Sequence, residues 1–283
     1  MMQAKKKVSV NDVIAMKGAE KISVLTAYDY STSLICDKAG VDVLLVGDSA
    51  GMVVLGYSST VPVSMPEMIM FCGAVARGAK RAMIVGDMPF GSYQPSASAA
   101  IENAVQLVKA GCDAIKLEGG SEIIGTIKAI VDAGIPVMGH IGLKPQTSSL
   151  WEGYKLQGRT KESAMKLIDD AKALEKAGVF SIVLEMVASE VAEAITKSIS
   201  VPTIGIGSGA GCDGQVLVLH DMLGIYEDIR PKFVKRYAEM SKSIFEAVSS
   251  YTTEVKSGRF PEEPNTFHMG PEELEKFKRA KRK

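Results

Sequence analysis

The sequence predicts an α/β fold, a (β/α)8 TIM barrel, on three observations. Eight short runs rich in Val, Ile and Leu recur along the chain without regular polar alternation, as strands buried on both faces require. Helix-periodic stretches long enough to cross between parallel strands separate most of these runs. Lys38-Ala39-Gly40, Lys109-Ala110-Gly111, Asp132-Ala133-Gly134 and Lys176-Ala177-Gly178 each close a helical stretch and precede an apolar run. Glycine at such a joint takes the left-handed cap, and lysine suits the helix carboxyl end.

Taken in order, Ser9-Val10-Asn11-Asp12 starts a short leading helix placed to plug the barrel bottom. The strands are expected at 22–26, 43–46, 83–86, 114–117, 136–139, 181–184, 203–206 and 216–219. Helices are expected at 31–39, 65–79, 96–110, 122–133, 163–177 and 189–199, the second opened by Ser64-Met65-Pro66-Glu67 with its capping serine and early proline. Only Gly207 to Gln215 separates the last two strands, too short for a crossover helix. Either that helix is reduced or the eighth strand lies elsewhere, and a doubly wound open sheet is the rival architecture. Residues 230–251 read as a long terminal helix and 261–271 as a loose extension. A single domain over 1–283 is expected, with 1–8 and 269–283 as flexible tails.

Lys+Arg and Asp+Glu both number 33, so no global field draws nucleic acid or an anionic membrane. The basic run 276–283 reads as a solvated tail. Four cysteines stand far apart with no CxxC pair, which suggests neither a disulfide framework nor a zinc site. The basic start lacks an apolar signal core, and no apolar run of about 18 residues occurs. A cytoplasmic protein acting on small molecules is expected.

Seven of the eight runs end on polar residues able to do chemistry, and the carboxyl ends of parallel strands open onto the ligand site. Asp48, Asp87 and Glu118 end successive strands two, three and four, where hard oxygen ligands suit Mg2+. The competing reading is that Asp48 and Asp87 cap the helices that follow them. Lys116 and Glu118, two apart on one strand, share a face that points inward if Ile115 and Leu117 face the helices. They form either a structural ion pair or a site for an anionic substrate. Glu185 ends strand six in apolar surroundings across the barrel from Asp48 and Asp87, the place for a proton acceptor. His140, closing strand five, either meets a substrate hydroxyl or is satisfied in the core. The glycine-rich 205–211 suggests a phosphate cradle, tight packing or a lid.

Gly47-Asp48-Ser49, Gly86-Asp87-Met88-Pro89-Phe90, Lys116-Leu117-Glu118, Gly139-His140-Ile141-Gly142-Leu143, Glu185, and Gly205-Ile206-Gly207 through Asp213-Gly214-Gln215 together resemble the ketopantoate hydroxymethyltransferase family, over about residues 10–267. The loop departs from the family pattern at Ser208 and Ala210-Gly211-Cys212. The resemblance implies a barrel of the phosphoenolpyruvate/pyruvate type that passes the one-carbon unit of 5,10-methylenetetrahydrofolate to 3-methyl-2-oxobutanoate, for pantothenate and coenzyme A synthesis. It implies that Asp48, Asp87 and Glu118 hold Mg2+, that Asp48, Ser49, Asp87 and Lys116 meet the keto acid, and that Glu185 is the proton acceptor. His140 would meet the new hydroxyl. It also implies a homo-oligomer, commonly a decamer. A magnesium-dependent carbon–carbon lyase or mutase of the same barrel group is the alternative.

Overall fold

The computed structural model describes residues 6–147, 155–228 and 230–282. Residues 1–5 of the expected amino-terminal tail and Lys283 lie outside the described residues. The chain divides into two compact units, Met1–Tyr237 and Ala238–Lys283.

In the first unit eight parallel strands close into a barrel in sequential order, β1 Ile22–Thr26, β2 Val43–Val46, β3 Met83–Asp87, β4 Ala114–Glu118, β5 Val137–Gly142, β6 Ser181–Glu185, β7 Thr203–Ile206 and β8 Gly214–Leu217. Closure comes from β1 pairing with β8 (Ile22↔Gly214 through Leu25↔Leu217), which excludes the open doubly wound sheet. The strand faces divide the apolar residues into two cores. Val43, Leu45, Val85, Met138, Val183 and Val216 fill the barrel interior, while Leu44, Ile84, Ile115 and Leu117 pack outward with the helices. Lys116 and Glu118 therefore point inward, as their spacing predicts.

The helix joints form as the glycines require. Gly40, Gly111 and Gly178 take left-handed caps after Tyr30–Ala39, Ala97–Ala110 and Lys161–Ala177. At Met65–Gly78, Glu67 accepts from the Ser64 backbone N–H at 2.7 Å, the reciprocal cap read from the sequence. The leading helix Val10–Met16 carries Val13, fully buried in the interior core, so it plugs the barrel. Lys17 ties this plug to Asp213 at 2.8 Å.

Several boundaries differ from expectation. β8 begins at Gly214, two residues before the expected start, and no helix joins it to β7. β5 runs on to Gly142, so His140 lies within the strand instead of closing it. The expected long helix from 230 begins only at Met240 (Met240–Lys256), because Pro231 and the residues after it form turns that fold over the barrel mouth. In the second unit the expected loose extension 261–271 holds a 3-10 turn, Glu263–Asn265, and the expected flexible tail 269–283 instead holds a helix, Pro271–Ala280. Proline at its first turn, Glu272 and Glu273 beside it, and Lys278 and Arg279 at its end suit the helix dipole. Among the described residues no helix is long and apolar enough to cross a membrane.

Candidate active site

A cavity of about 400 Å³ opens at the carboxyl ends of the strands. Asp48, Ser49, Asp87, Lys116, Glu118, His140 and Glu185 all line it, so these strand-end residues reach one space, while of the 205–211 loop only Ile206 does. Asp48, Asp87, Lys116, Glu118 and His140 are buried, each 5% exposed or less.

Asp48 and Asp87 do not cap helices. Ser49 stands at the N-cap of Ala50–Val53, and Ser96 caps Ala97–Ala110. Instead the Asp48 backbone N–H donates to Asp87 Oδ2 at 3.3 Å, bringing the ends of β2 and β3 together. Burial and the neighbouring Asp87 and Glu118 charges push the Asp48 carboxyl well above its ordinary range. Burial also raises the Asp87 carboxyl, against the pull of Lys116. Lys116 Nζ lies 2.8 Å from Asp87 Oδ1 and 3.8 Å from Glu118 Oε1. Burial works against its charge, but these acids outweigh burial and hold the ammonium protonated.

His140 sits between two acids. Its Nδ1 is 3.4 Å from Glu118 Oε1 and its Nε2 is 3.1 Å from Glu185 Oε2. The second is a charge contact whose N–H direction misses the oxygen, since Nε2 completes no hydrogen bond. Burial and Lys116 pull the imidazole pKa down, yet Glu118 and Glu185 raise it to about 9 overall. Burial opposes the Glu118 charge, but His140 and Lys116 bring that carboxyl below its usual value. The sequence expectation of apolar surroundings for Glu185 is therefore corrected. Its partner is His140 on the adjacent strand, and its side chain is 15% exposed toward the cavity.

Among the described residues no group of three His, Cys, Asp or Glu side chains stands ready-made as a metal centre. The reason is visible in the distances, because the Lys116 ammonium occupies the space between Asp87 and Glu118. The donor chemistry nevertheless fits a hard divalent cation. Three buried carboxylates face one lysine, and Asp87 Oδ1 completes no hydrogen bond despite the lysine beside it.

Sequence reasoning missed the residues that hold these acids. Gln146, with no exposed surface, donates from Nε2 to Asp48 Oδ2 and to the Met88 carbonyl, each at 2.9 Å, and from its backbone N–H to Glu118 Oε2 at 3.1 Å. The buried Tyr93 hydroxyl donates to Gln146 Oε1 at 2.8 Å, and the Tyr28 hydroxyl lies 2.8 Å from Ser49 Oγ. Tyr28 and Tyr93 sit in irregular segments and Gln146 in the short helical stretch at 145–147, none with a periodic pattern. Their only sequence signal is position, just past the strand ends. The 205–211 loop is tightly packed: Gly207 and Gly209 have φ of +67° and +78°, and an added Cβ would meet Phe233 and Ser189 at 2.8 and 2.7 Å. Ser208 Oγ accepts from the Val187 N–H at 3.0 Å and donates to the Leu184 carbonyl at 2.7 Å, bracing the β6 end that carries Glu185.

Solved structures with the same architecture include a phosphonopyruvate hydrolase, with a TM-score of 0.60 at 14% identity covering 98% of this chain and 96% of that one. A phosphoenolpyruvate phosphomutase from Streptomyces platensis subsp. rosaceus gives 0.59 at 15%, covering 97% and 98%. At such identity the likeness is one of fold. A protein of Nitrosopumilus maritimus (strain SCM1) named 3-methyl-2-oxobutanoate hydroxymethyltransferase is 60% identical over 271 residues, covering 95% of this chain and 97% of its own length. One of the same name from Desulfotalea psychrophila (strain LSv54 / DSM 12343) is 58% identical over 261 residues, covering 92% and 94%. The ketopantoate hydroxymethyltransferase family profile matches residues 7–263, and the chain belongs to that family.

Proposed function

We propose that the chain moves a one-carbon unit from 5,10-methylenetetrahydrofolate to C3 of 3-methyl-2-oxobutanoate, giving ketopantoate and tetrahydrofolate for pantothenate and coenzyme A synthesis. The names of its relatives support the ketopantoate-forming reaction. The observation that carries the mechanism is the row Glu185, His140, Glu118 and Lys116 across one cavity. It sets a partly open carboxylate opposite a buried charged cluster.

Glu185 takes the C3 proton, and the electron pair left behind delocalises into the keto group as an enolate. The carbon then bonds to the folate methylene as one of its two C–N bonds breaks and that nitrogen takes up a proton, and water replaces the second folate nitrogen, which leaves protonated as tetrahydrofolate, so that the hydroxymethyl group remains on C3. Lys116, kept cationic by its acidic neighbours, offsets the charge of the keto acid, which Ser49, Asp48 and Asp87 help to seat. Asp48, Asp87 and Glu118 would hold Mg2+, directly or through water, and its chemistry there is Lewis-acid stabilisation of negative charge on the keto acid. His140, protonated beside Glu185, meets the new hydroxyl and passes protons to and from Glu185. A cytoplasmic homo-oligomer belongs to the same reading, and Ile244, Val248 and Tyr251 offer an exposed apolar face on the Met240–Lys256 helix.

The lyase or mutase alternative calls for a reactive loop cysteine in the site. All four cysteines are buried, and none lines the cavity. The test is exchange of the C3 proton of 3-methyl-2-oxobutanoate into deuterated water without folate. Exchange should need Mg2+ and fall at least about a hundredfold in Glu185→Gln. Exchange indifferent to both changes overturns the mechanism.

A further inference from the structure

The residues of the proposed chemistry occupy the β2 to β6 side of the cavity and leave the β7, β8 and β1 side unused. That side is apolar, with Val216, Val218 and Phe233 on its wall, and carries one acid, Asp221. Asp221 lies in the short helix Leu219–Leu223 that leaves β8. Its neighbour His220 turns away to pack on Tyr28, with ring centroids 5.5 Å apart. The Asp221 carboxylate accepts no hydrogen bond from any described residue, and burial pushes its pKa up to about 6 against the opposing charge of Arg236. A half-buried acceptor without a donor costs stability, so its retention on a cavity wall suits a ligand that brings the donors. The cavity, about 400 Å³, has room beyond a five-carbon acid and suits a drug-sized ligand.

We propose that Asp221 binds the amidine edge, the 2-amino group and N3–H, of a reduced pterin whose ring lies against Phe233. A 2-amino-4-oxopyrimidine ring presents two parallel N–H donors, and a carboxylate accepts such a fork through both oxygens. The flat bicyclic body matches the aromatic and aliphatic wall. Phe233 is fixed for this contact because Gly207 lies against its ring with no room for a Cβ. Lys232, exposed at the rim, stands where the anionic glutamate tail of a folate leaves the cavity. This arrangement aims the one-carbon unit from the β8 side at a keto acid held on the β2 to β6 side. The assignment rests on the one-carbon transfer proposed above.

The test is equilibrium binding, by calorimetry under anaerobic conditions, of tetrahydrofolate and of its analogue with a 2-methyl group in place of the 2-amino group. Wild type should prefer tetrahydrofolate by at least about tenfold, and Asp221→Asn should reduce that preference to about threefold or less. The same preference in both proteins, or none in wild type, overturns the assignment. If Asp221→Asn binds neither ligand, Asp221→Ser replaces it, and the wild-type comparison decides alone if both variants misfold. Folate-free C3 exchange in wild type separates the two proposals. Exchange without pterin discrimination sinks only the role of Asp221, whereas absent exchange sinks the proposed chemistry whatever the binding result.

Discussion

Gln146→Ala probes the support of the acidic cluster more sharply than changing an acid would. The side-chain amide holds Asp48 Oδ2 and the Met88 carbonyl, both at 2.9 Å, and receives the Tyr93 hydroxyl. After truncation Tyr93 still donates to the Glu118 carbonyl at 3.0 Å, so its hydroxyl stays paired. Two acceptors are left without this donor. Losing a hydrogen bond to a charged group costs about 2 kcal/mol and orphaning a buried carbonyl about 1–2 kcal/mol, for a total of about 3–4 kcal/mol. In a unit of this size that lowers Tm by roughly 6–16 °C. C3 exchange should fall as well, because Asp48 loses its lateral support. Gln146→Glu keeps the shape but brings a negative charge to Asp48 and Glu118, so it should be worse than Ala. Paired urea and thermal unfolding, with exchange rates, make the measurement. A Gln146→Ala protein within about 0.5 kcal/mol of wild type refutes the claim that this amide orders the acids.

Three further outcomes are expected. Gly142 has φ +95° and faces the Glu185 carbonyl so closely that a Cβ would overlap it; Gly142→Ala should therefore displace the β6 end and lower C3 exchange about tenfold or more, while near-wild-type exchange would show that the β6 end yields freely. Asp221, raised from 3.8 to about 6, makes the folded state bind more protons than the unfolded state between those values, so its contribution to stability falls as pH rises from about 4 to 6. Asp221→Asn should accordingly gain on wild type in urea midpoints at pH 7.5 relative to pH 4, and an equal difference at the two pH values contradicts this. Mg2+ at a hundred times its Kd should stabilise the protein by about 2.7 kcal/mol in thermal unfolding, and Asp87→Asn should remove most of that gain; equal gains in the two proteins would take the metal away from these acids.

The sequence makes the barrel legible because both of its signals are local. Apolar runs such as Val43–Val46 and glycine caps such as Gly111 form by rules that refer only to near neighbours. The inward direction of Lys116 and Glu118 follows from strand periodicity, and the gathering of strand-end residues follows from closure. What escapes is whatever depends on distant contacts. Gln146 reads as an ordinary loop polar residue, although it bridges the ends of β2, β3 and β4. The turns around Phe233 pass for the start of a helix, because apolar spacing alone cannot tell a helix face from a segment laid over a cavity. The partner of Glu185 escapes for the same reason, since the register sets His140 opposite Val183 and the imidazole reaches Glu185 diagonally, one strand over.

Register also explains how a barrel interior tolerates so many charges. Glu118 pairs with His140 across β4 and β5, and Asp87 pairs with Lys116 across β3 and β4, so opposite charges face one another across neighbouring strands as well as along β4. A buried carboxylate alone would take up a proton. Lys116 lies between Asp87 and Glu118 and His140 between Glu118 and Glu185, while Lys116 Nζ and His140 Nδ1 are themselves 3.2 Å apart, so Glu118 holds both. Asp48 stands outside these pairs, with Gln146 as its donor and no cation in contact, and burial and its acidic neighbours push its carboxyl up. Negative charge that the two cations do not offset therefore falls to Asp48 and Asp87, whose raised carboxyls show how unfavourable it is in the protein alone. In the proposed reading a divalent cation and an anionic keto acid share this cluster, and each offsets charge that the other brings. From this it follows that keto acid and Mg2+ should each tighten the binding of the other, and independent affinities in calorimetric titration would argue that the two do not share the cluster.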